Sequence, residues 1–262
     1  MIFIICAMKC EASLIINLLN LKPDLKKRGI YTGNEFCLIV SGIGTDCVKN
    51  TFAQFPEPVD RNGDLFINIG VCGCTNETYS IGSVFLVNDI HSETNSIPYY
   101  PDMLIKSNIP EAGCTSYSGL KTDLDCPTLL ADMEAYAFYN ECLKHVTSDR
   151  IHLLKIVSDY MEPSQLTKND ISGIVHKAVP TIQNYISALQ KYKKTESLPD
   201  YSIYYDKYKF TASIKTELNK LNMFYFYRNN LFPDSEIYNG FLKPNSKKES
   251  LRIYNDIKKQ LL

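Results

Sequence analysis

The chain has 262 residues, of which 45% are apolar and 22% charged, and its formal net charge is −1. A chain this long and this apolar buries its own core without disulfide staples and is not disordered. The balanced charge excludes a polybasic arm or an acidic tail, and the longest apolar stretches, residues 1–8 and 13–19, fall short of the ~18 residues that span a bilayer.

Residues 2–7 form a continuous apolar run, the mark of a strand buried on both faces. Residues 11–21 follow with Leu14, Ile15, Leu18 and Leu19 at helical spacing. Strands are expected at 30–32 and 36–40, with a turn at Gly33-Asn34 between them. Val40 runs straight into a glycine turn, Ser41-Gly42-Ile43-Gly44, and a helix over 46–55 ends before Pro56. Residues 65–70 read as a buried strand leading to a small-residue turn at 71–74. A strand over 82–87, a helix over 127–145 and a strand over 151–157 opening onto Ser158-Asp159 come next. A long helix over 170–192, kinked or broken at Pro180, closes this part of the chain.

Alternating strands and helices argue for α/β layers, in which ligands gather beyond the carboxyl ends of the strands. Five segments leave a strand end with small or polar residues: 7–11, 41–44, 71–74, 91–93 and 158–159. Composition shifts near Lys193, where a polar linker over 193–199 is expected. Residues 200–262 hold 8 of the 18 tyrosines and 5 of the 12 phenylalanines, and carry a net +4 against −5 for the rest. Helices are expected there over 211–228, with Thr211 as N-cap, and over 246–261. Aromatic and basic residues together could suit RNA, but the apolar spacing of Ile214, Leu218, Leu221 and Phe224 favours packing on the core or an oligomer contact, so nucleic acid is disfavoured.

The nine cysteines are odd in number and scattered through apolar segments, so they read as reduced thiols used as small hydrophobes. Only Cys72 and Cys74 are close in sequence, with no second pair nearby, and no metal site is expected. Residues 1–8 lack the positive flank of a signal peptide, so a cytoplasmic location is expected, with no membrane partner.

Three carboxylates stand out. Glu134, in the run Asp132-Met133-Glu134-Ala135, has apolar neighbours on both sides. Buried carboxylates are uncommon unless paired or functional, while the alternative is a helix edge facing water. Asp159 ends an apolar strand, where it meets either a ligand or the first turn of the next segment. Glu11 follows the first strand, as a site residue or as a surface glutamate favoured by the helix dipole. Glycosidic cleavage passes through an oxocarbenium-like transition state and requires a general acid, an activated water and contacts to sugar hydroxyls. Carboxylates on neighbouring strand ends can supply all three.

The chain resembles the nucleoside phosphorylase superfamily, and within it the methylthioadenosine/S-adenosylhomocysteine nucleosidases. The segments that carry the resemblance are IIxAMxxE (4–11), SGIG (41–44), NIGxxGxxxxxxxIGSV (68–84), DMEAxAF (132–138) and KIVSD (155–159). The resemblance implies a three-layer α/β phosphorylase/hydrolase-like fold with a central mixed sheet over residues 1–194, leaving 195–262 as a mainly helical C-terminal extension. It implies Asp159 as the acid that protonates the purine at N7, oriented by Ser158. Glu134 would bind the ribose hydroxyls, Met133 would pack on the sugar, and Glu11 would activate the attacking water. Ile43, Val71, Cys72 and Gly73 would line the pocket. A purine-type nucleoside would be the small-molecule partner, with no cofactor, and a homodimer would be the assembly.

Thr45-Asp46 follows the second glycine turn and puts a negative charge where a phosphate would lie, so water is the expected nucleophile. The sequence departs from the family pattern at Lys155, where an arginine is usual, at Val71, where a serine is usual, and in a short stretch before Asp132 that lacks the base-contacting segment. These departures leave the base and the 5′ substituent open. They also keep two alternatives in view: a phosphorylase on the same scaffold, and a nucleoside-binding protein without turnover.

Overall fold

The computed structural model describes residues 1–55, 59–60, 63–122, 125–162, 166–195, 201–229, 232–234 and 236–262. The chain divides into two compact units, Met1–Lys193 and Lys194–Leu262.

The first unit is built on a nine-stranded mixed sheet. β1 (Ile2–Cys6) is buried along its whole length and pairs in parallel with both β4 (Phe36–Val40) and β5 (Leu65–Cys74). The strand order is β2-β3-β4-β1-β5-β8-β7-β6-β9, where β2 is Lys22–Pro23, β3 Ile30–Thr32, β6 Val84–Ser92, β7 Glu111–Ser116, β8 Leu130–Asp132 and β9 Ile151–Asp159. Because β9 also pairs with β5, the last five strands close on one another as a small barrel.

Helices cover both faces. α1 (Lys9–Leu18) packs on β1, β4 and β5. On the other face α2 (Thr45–Ala53) and α3 (Ala135–Cys142) bury Phe52 and Phe138 against Phe3 and Phe66, with ring centroids 5.0–6.3 Å apart. Ile151 and Leu153 of β9 belong to that cluster; His152 alternates away and meets Tyr185 of α4 (Lys168–Thr195). This makes three layers, as the sequence reading expects.

Several elements differ from expectation. The helix expected over 127–145 begins only at Ala135, because Leu130 and Ala131 pair with β5 and Asp132 pairs with β7. The turn expected at 71–74 is the end of β5, held by β9 and β8. β6 runs on to Ser92, past the expected 82–87. α4 continues through Pro180 without a break, since its apolar face is buried on both sides of the proline, by Val175 and Ala178 before it and Ile182 and Tyr185 after it. Of the expected linker, 193–195 belongs to α4, and 196–199 lies outside the described residues.

The second unit is helical: α5 (Ser202–Lys207), α6 (Ala212–Asn229), α7 (Glu236–Asn239) and α8 (Lys247–Leu261). The Ile214 N–H donates to Thr211 Oγ1 at 3.4 Å, and the Glu249 N–H to Ser246 Oγ at 3.2 Å, so both helix starts are capped by hydroxyls. Its aromatics form a core of their own, with Tyr201, Tyr205, Tyr208, Tyr238 and Tyr254 around Leu218 and Ile257. Inside it Asn222 is fully buried: its Nδ2 donates to Tyr205 Oη at 3.0 Å, and the Tyr238 hydroxyl donates to its Oδ1.

Asn222→Ala should destabilise this unit by about 1–3 kcal/mol, because it takes the acceptor from the buried Tyr238 hydroxyl and a donor from Tyr205. Hydrogen exchange would read this as faster exchange across α6 and α8; unchanged exchange there would contradict it.

Candidate active site

The carboxyl ends of β1, β5 and β9 lie side by side, and each delivers part of one site. β1 leads through Ala7 and Met8 into α1, whose first turn carries Glu11. The Met8 N–H donates to Glu11 Oε2 at 2.7 Å and the Val71 N–H donates to Oε1 at 2.9 Å, so the carboxylate is gripped from both strands. Burial raises its pKa above the ordinary value, against the opposing pull of these two N–H groups and of the Lys155 ammonium. Gly70 keeps this space open: a Cβ would lie 3.2 Å from Glu11 Oε1 and crowd the carboxylate.

β9 delivers Ser158 and Asp159. Its register with β5 shifts between Cys72 and Gly73: Cys72 pairs with Val157, and Gly73 with Asp159. Adjacent strand residues ordinarily point to opposite faces; this bulge lets both Ser158 and Asp159 reach one cavity. Ser158 Oγ lies 2.6 Å from Asp159 Oδ2 and 3.1 Å from the Cys72 carbonyl, with its hydroxyl proton shared between these acceptors. The Glu162 N–H donates to Asp159 Oδ1 at 2.9 Å. The Asp159 side chain is therefore held at both oxygens.

Glu134 is the N-cap residue of α3, yet its side chain does not cap the helix. It accepts the Gly44 N–H at 2.6 Å, across 90 residues of sequence. Gly44 has φ +92°, which only glycine adopts without strain, so the glycine turn aims this N–H. Burial, then repulsion from Asp132, push the Glu134 carboxyl up to about 7, with Lys155 and Gly44 opposing.

Beneath these groups lies a buried ion pair. Lys155 Nζ sits 2.6 Å from Asp132 Oδ2, and both side chains are essentially inaccessible. Burial would lower the lysine and raise the aspartate, but each holds the other charged: Lys155 lies above its ordinary value and Asp132 below its own.

A cavity of about 220 Å³ brings together all nine residues singled out in the sequence: Glu11, Ile43, Val71, Cys72, Gly73, Met133, Glu134, Ser158 and Asp159 all line it. Sequence reading did not single out Met8, Leu120, Lys121, Met161 and Ile171, which line it too. Only Met8 lay in a quoted motif, and the others come from loops and α4 with no local signal. Tyr117 is not among the lining residues; the Lys121 ammonium lies 5.2 Å from its ring. Among the described lining residues Lys121 is the one cation, against the carboxylates of Glu11, Asp132, Glu134 and Asp159.

No family model and no curated protein sequence matches the chain. Solved structures do. The methylthioadenosine/S-adenosylhomocysteine nucleosidase of Streptococcus pneumoniae, in complex with 8-aminoadenine, matches with a TM-score of 0.59 at 18% identity, covering 71% of this chain and 99% of that one. The nucleosidase (MTAN) of Chlamydia trachomatis, bound to adenine, matches at 0.57 and 20%, covering 71% and 97%. The corresponding nucleosidase of Colwellia psychrerythraea, also with adenine, gives 0.58 and 16%, covering 72% and 95%. The chain thus has the fold of these nucleosidases.

Lys155→Ala should cost about 3–5 kcal/mol by chemical denaturation at pH 8, because it leaves Asp132 charged and unpaired in the interior; an unchanged midpoint would contradict the pairing. Glu134 predicts a pH effect of definite sign. With a folded pKa of about 7 against roughly 4.3 unfolded, the folded chain binds the extra proton, so stability falls as pH rises through that window. Glu134→Gln should therefore be more stable than the wild type at pH 8, by on the order of 2–3 kcal/mol, with the gain fading towards pH 4. A gain equal at both pH values would refute the shift.

Proposed function

We propose that the chain hydrolyses the N-glycosidic bond of a purine-type nucleoside. The observation that carries this reading is the convergence of Glu11, Glu134 and Asp159, each from a different strand end, on a single cavity. The solved nucleosidases that share the fold hold adenine or an adenine analogue, which supports a purine base.

Asp159, fixed by Ser158 and the Glu162 N–H, protonates the base at N7 and makes it a leaving group. As the bond to the base lengthens, positive charge grows on the ribose. Glu134, held by Gly44 at the sugar side, accepts from the ribose hydroxyls, and its carboxylate strengthens that contact as the charge develops. Glu11 orients a water for attack at the anomeric carbon and takes its proton. The N–H bonds that hold it from Met8 and Val71 leave lone pairs on both oxygens for that purpose.

The choice of water over phosphate follows from charge. A phosphate would enter a cavity where Glu11, Glu134 and Asp159 face Lys121, the one cation among the described lining residues. The buried ammonium of Lys155 is already neutralised by Asp132, 2.6 Å away. A phosphate subsite requires unopposed donors, with arginine the usual fork.

Chromatography of a nucleoside panel, with and without phosphate, tests the reading. Free base should appear at a rate independent of phosphate, and Asp159→Asn should lose roughly 10²–10⁴ in rate. Release that depends on phosphate would turn the assignment to a phosphorylase. A fully active Asp159→Asn variant would remove Asp159 as the acid.

A further inference from the structure

The start of α3 shows how Glu134 is kept available. A Ser, Thr, Asp or Asn at the N-cap folds its side-chain oxygen back onto the N–H of the second or third helical residue, and the helix dipole draws any carboxylate at that end the same way. Glu134 occupies that position and does not do so. Other residues hold the N–H groups of the first two helical positions. The Ala135 N–H donates to Asp132 Oδ2 at 2.8 Å. The Tyr136 N–H donates to Ser116 Oγ at 2.9 Å, and Ser116 comes from β7, 20 residues earlier. The Ser116 hydroxyl in turn donates to Asp132 Oδ1 at 2.6 Å. Asp132 is itself tied to Lys155 of β9.

We infer that Ser116 and Asp132 are positioning residues which cap α3 in place of Glu134, and so leave the Glu134 carboxylate free to meet the Gly44 N–H and the sugar. Ser116 has a specific part. It joins the helix start to β7, it accepts from the second helical N–H, one of the two open to an N-cap side chain, and it orients Asp132 through its own proton. Both oxygens of Asp132 are thereby occupied, and the pair with Lys155 keeps its charge from being stranded beside Glu134. Neither residue reaches the substrate through Glu134's own bonds; they act by denying Glu134 its local partner. The sugar-binding part of this inference rests on the nucleosidase reading; the capping part does not.

Ser116→Ala frees the Tyr136 N–H, and Glu134 should swing back to cap its own helix. The amide of Gly44, now without a carboxylate acceptor, should move upfield in a nitrogen–proton NMR spectrum of the ligand-free protein, while the Tyr136 amide keeps a hydrogen-bonded shift. In turnover, KM for the nucleoside should rise about tenfold or more, and Ser116→Thr, which retains the hydroxyl, should restore both readouts. Should the alanine variant fail to fold, Ser116→Cys offers a weaker acceptor of similar size, and the same upfield movement at smaller amplitude is expected. An unmoved Gly44 amide in a folded Ser116→Ala or Ser116→Cys protein would overturn the inference, as would failure of Ser116→Thr to restore it. The Gly44 readout requires no substrate, so it decides the positioning whether or not the wild type releases base.

Discussion

The ion pair between Lys155 and Asp132 is the constraint around which the site is arranged. It lies in the interior, 2.6 Å from nitrogen to oxygen, and joins β9 to the short strand β8 that precedes α3. Either charge alone in that position would be strongly unfavourable, and the two together are tolerated because the remaining valences of Asp132 are met by Ser116 and Ala135. From this pair the positions of the other groups follow. Asp132 sets where α3 starts and hence where Glu134 stands. Lys155 lies beside Gly70 and pulls against the rise that burial imposes on Glu11.

The same arrangement explains how four carboxylates can line one small cavity. Each is held by a different device: Glu11 by two backbone N–H groups, Asp132 by an ammonium, Glu134 by a glycine N–H, and Asp159 by a hydroxyl and a further N–H. Glu134 has the weakest set of partners and is the one pushed to about 7. That is a cost in stability, which under the proposed hydrolysis a developing ribosyl cation would relieve.

Much of this was readable from the residues in order. Glu11 and Asp159 stood out at strand ends, Glu134 as a carboxylate among apolar neighbours, and the family resemblance added Ile43 and Ser158, before any contact was known; the cavity gathers all of them. What could not be read is non-local. β7 is made of small residues, Glu-Ala-Gly-Cys-Thr-Ser, without apolar alternation, and β8 is three residues long, so neither announces a strand. The helix over 127–145 was placed too early because its true start is set by the pairing of β8 and by Asp132, which Ser116 holds from a strand that leaves no periodic signal. Lys155 looked like a departure from a family arginine; its partner, on another strand, gives it a structural reason that spacing alone does not reveal. In the second unit, Tyr201, Tyr205, Tyr208, Tyr238 and Tyr254 form an internal core around Asn222, a non-local arrangement that their spacing does not announce.

The central claim, that the cavity stabilises positive charge on a ribose as the base departs, is tested most directly by calorimetric titration with two inert ligands. One is an adenosine-type iminoribitol, cationic at the sugar ring; the other is its neutral carbon-linked isostere. Cleavage through a ribosyl cation predicts that the cationic ligand binds at least ~10² times tighter, with the advantage reduced in Glu134→Gln. Equal affinity for the two ligands would contradict it.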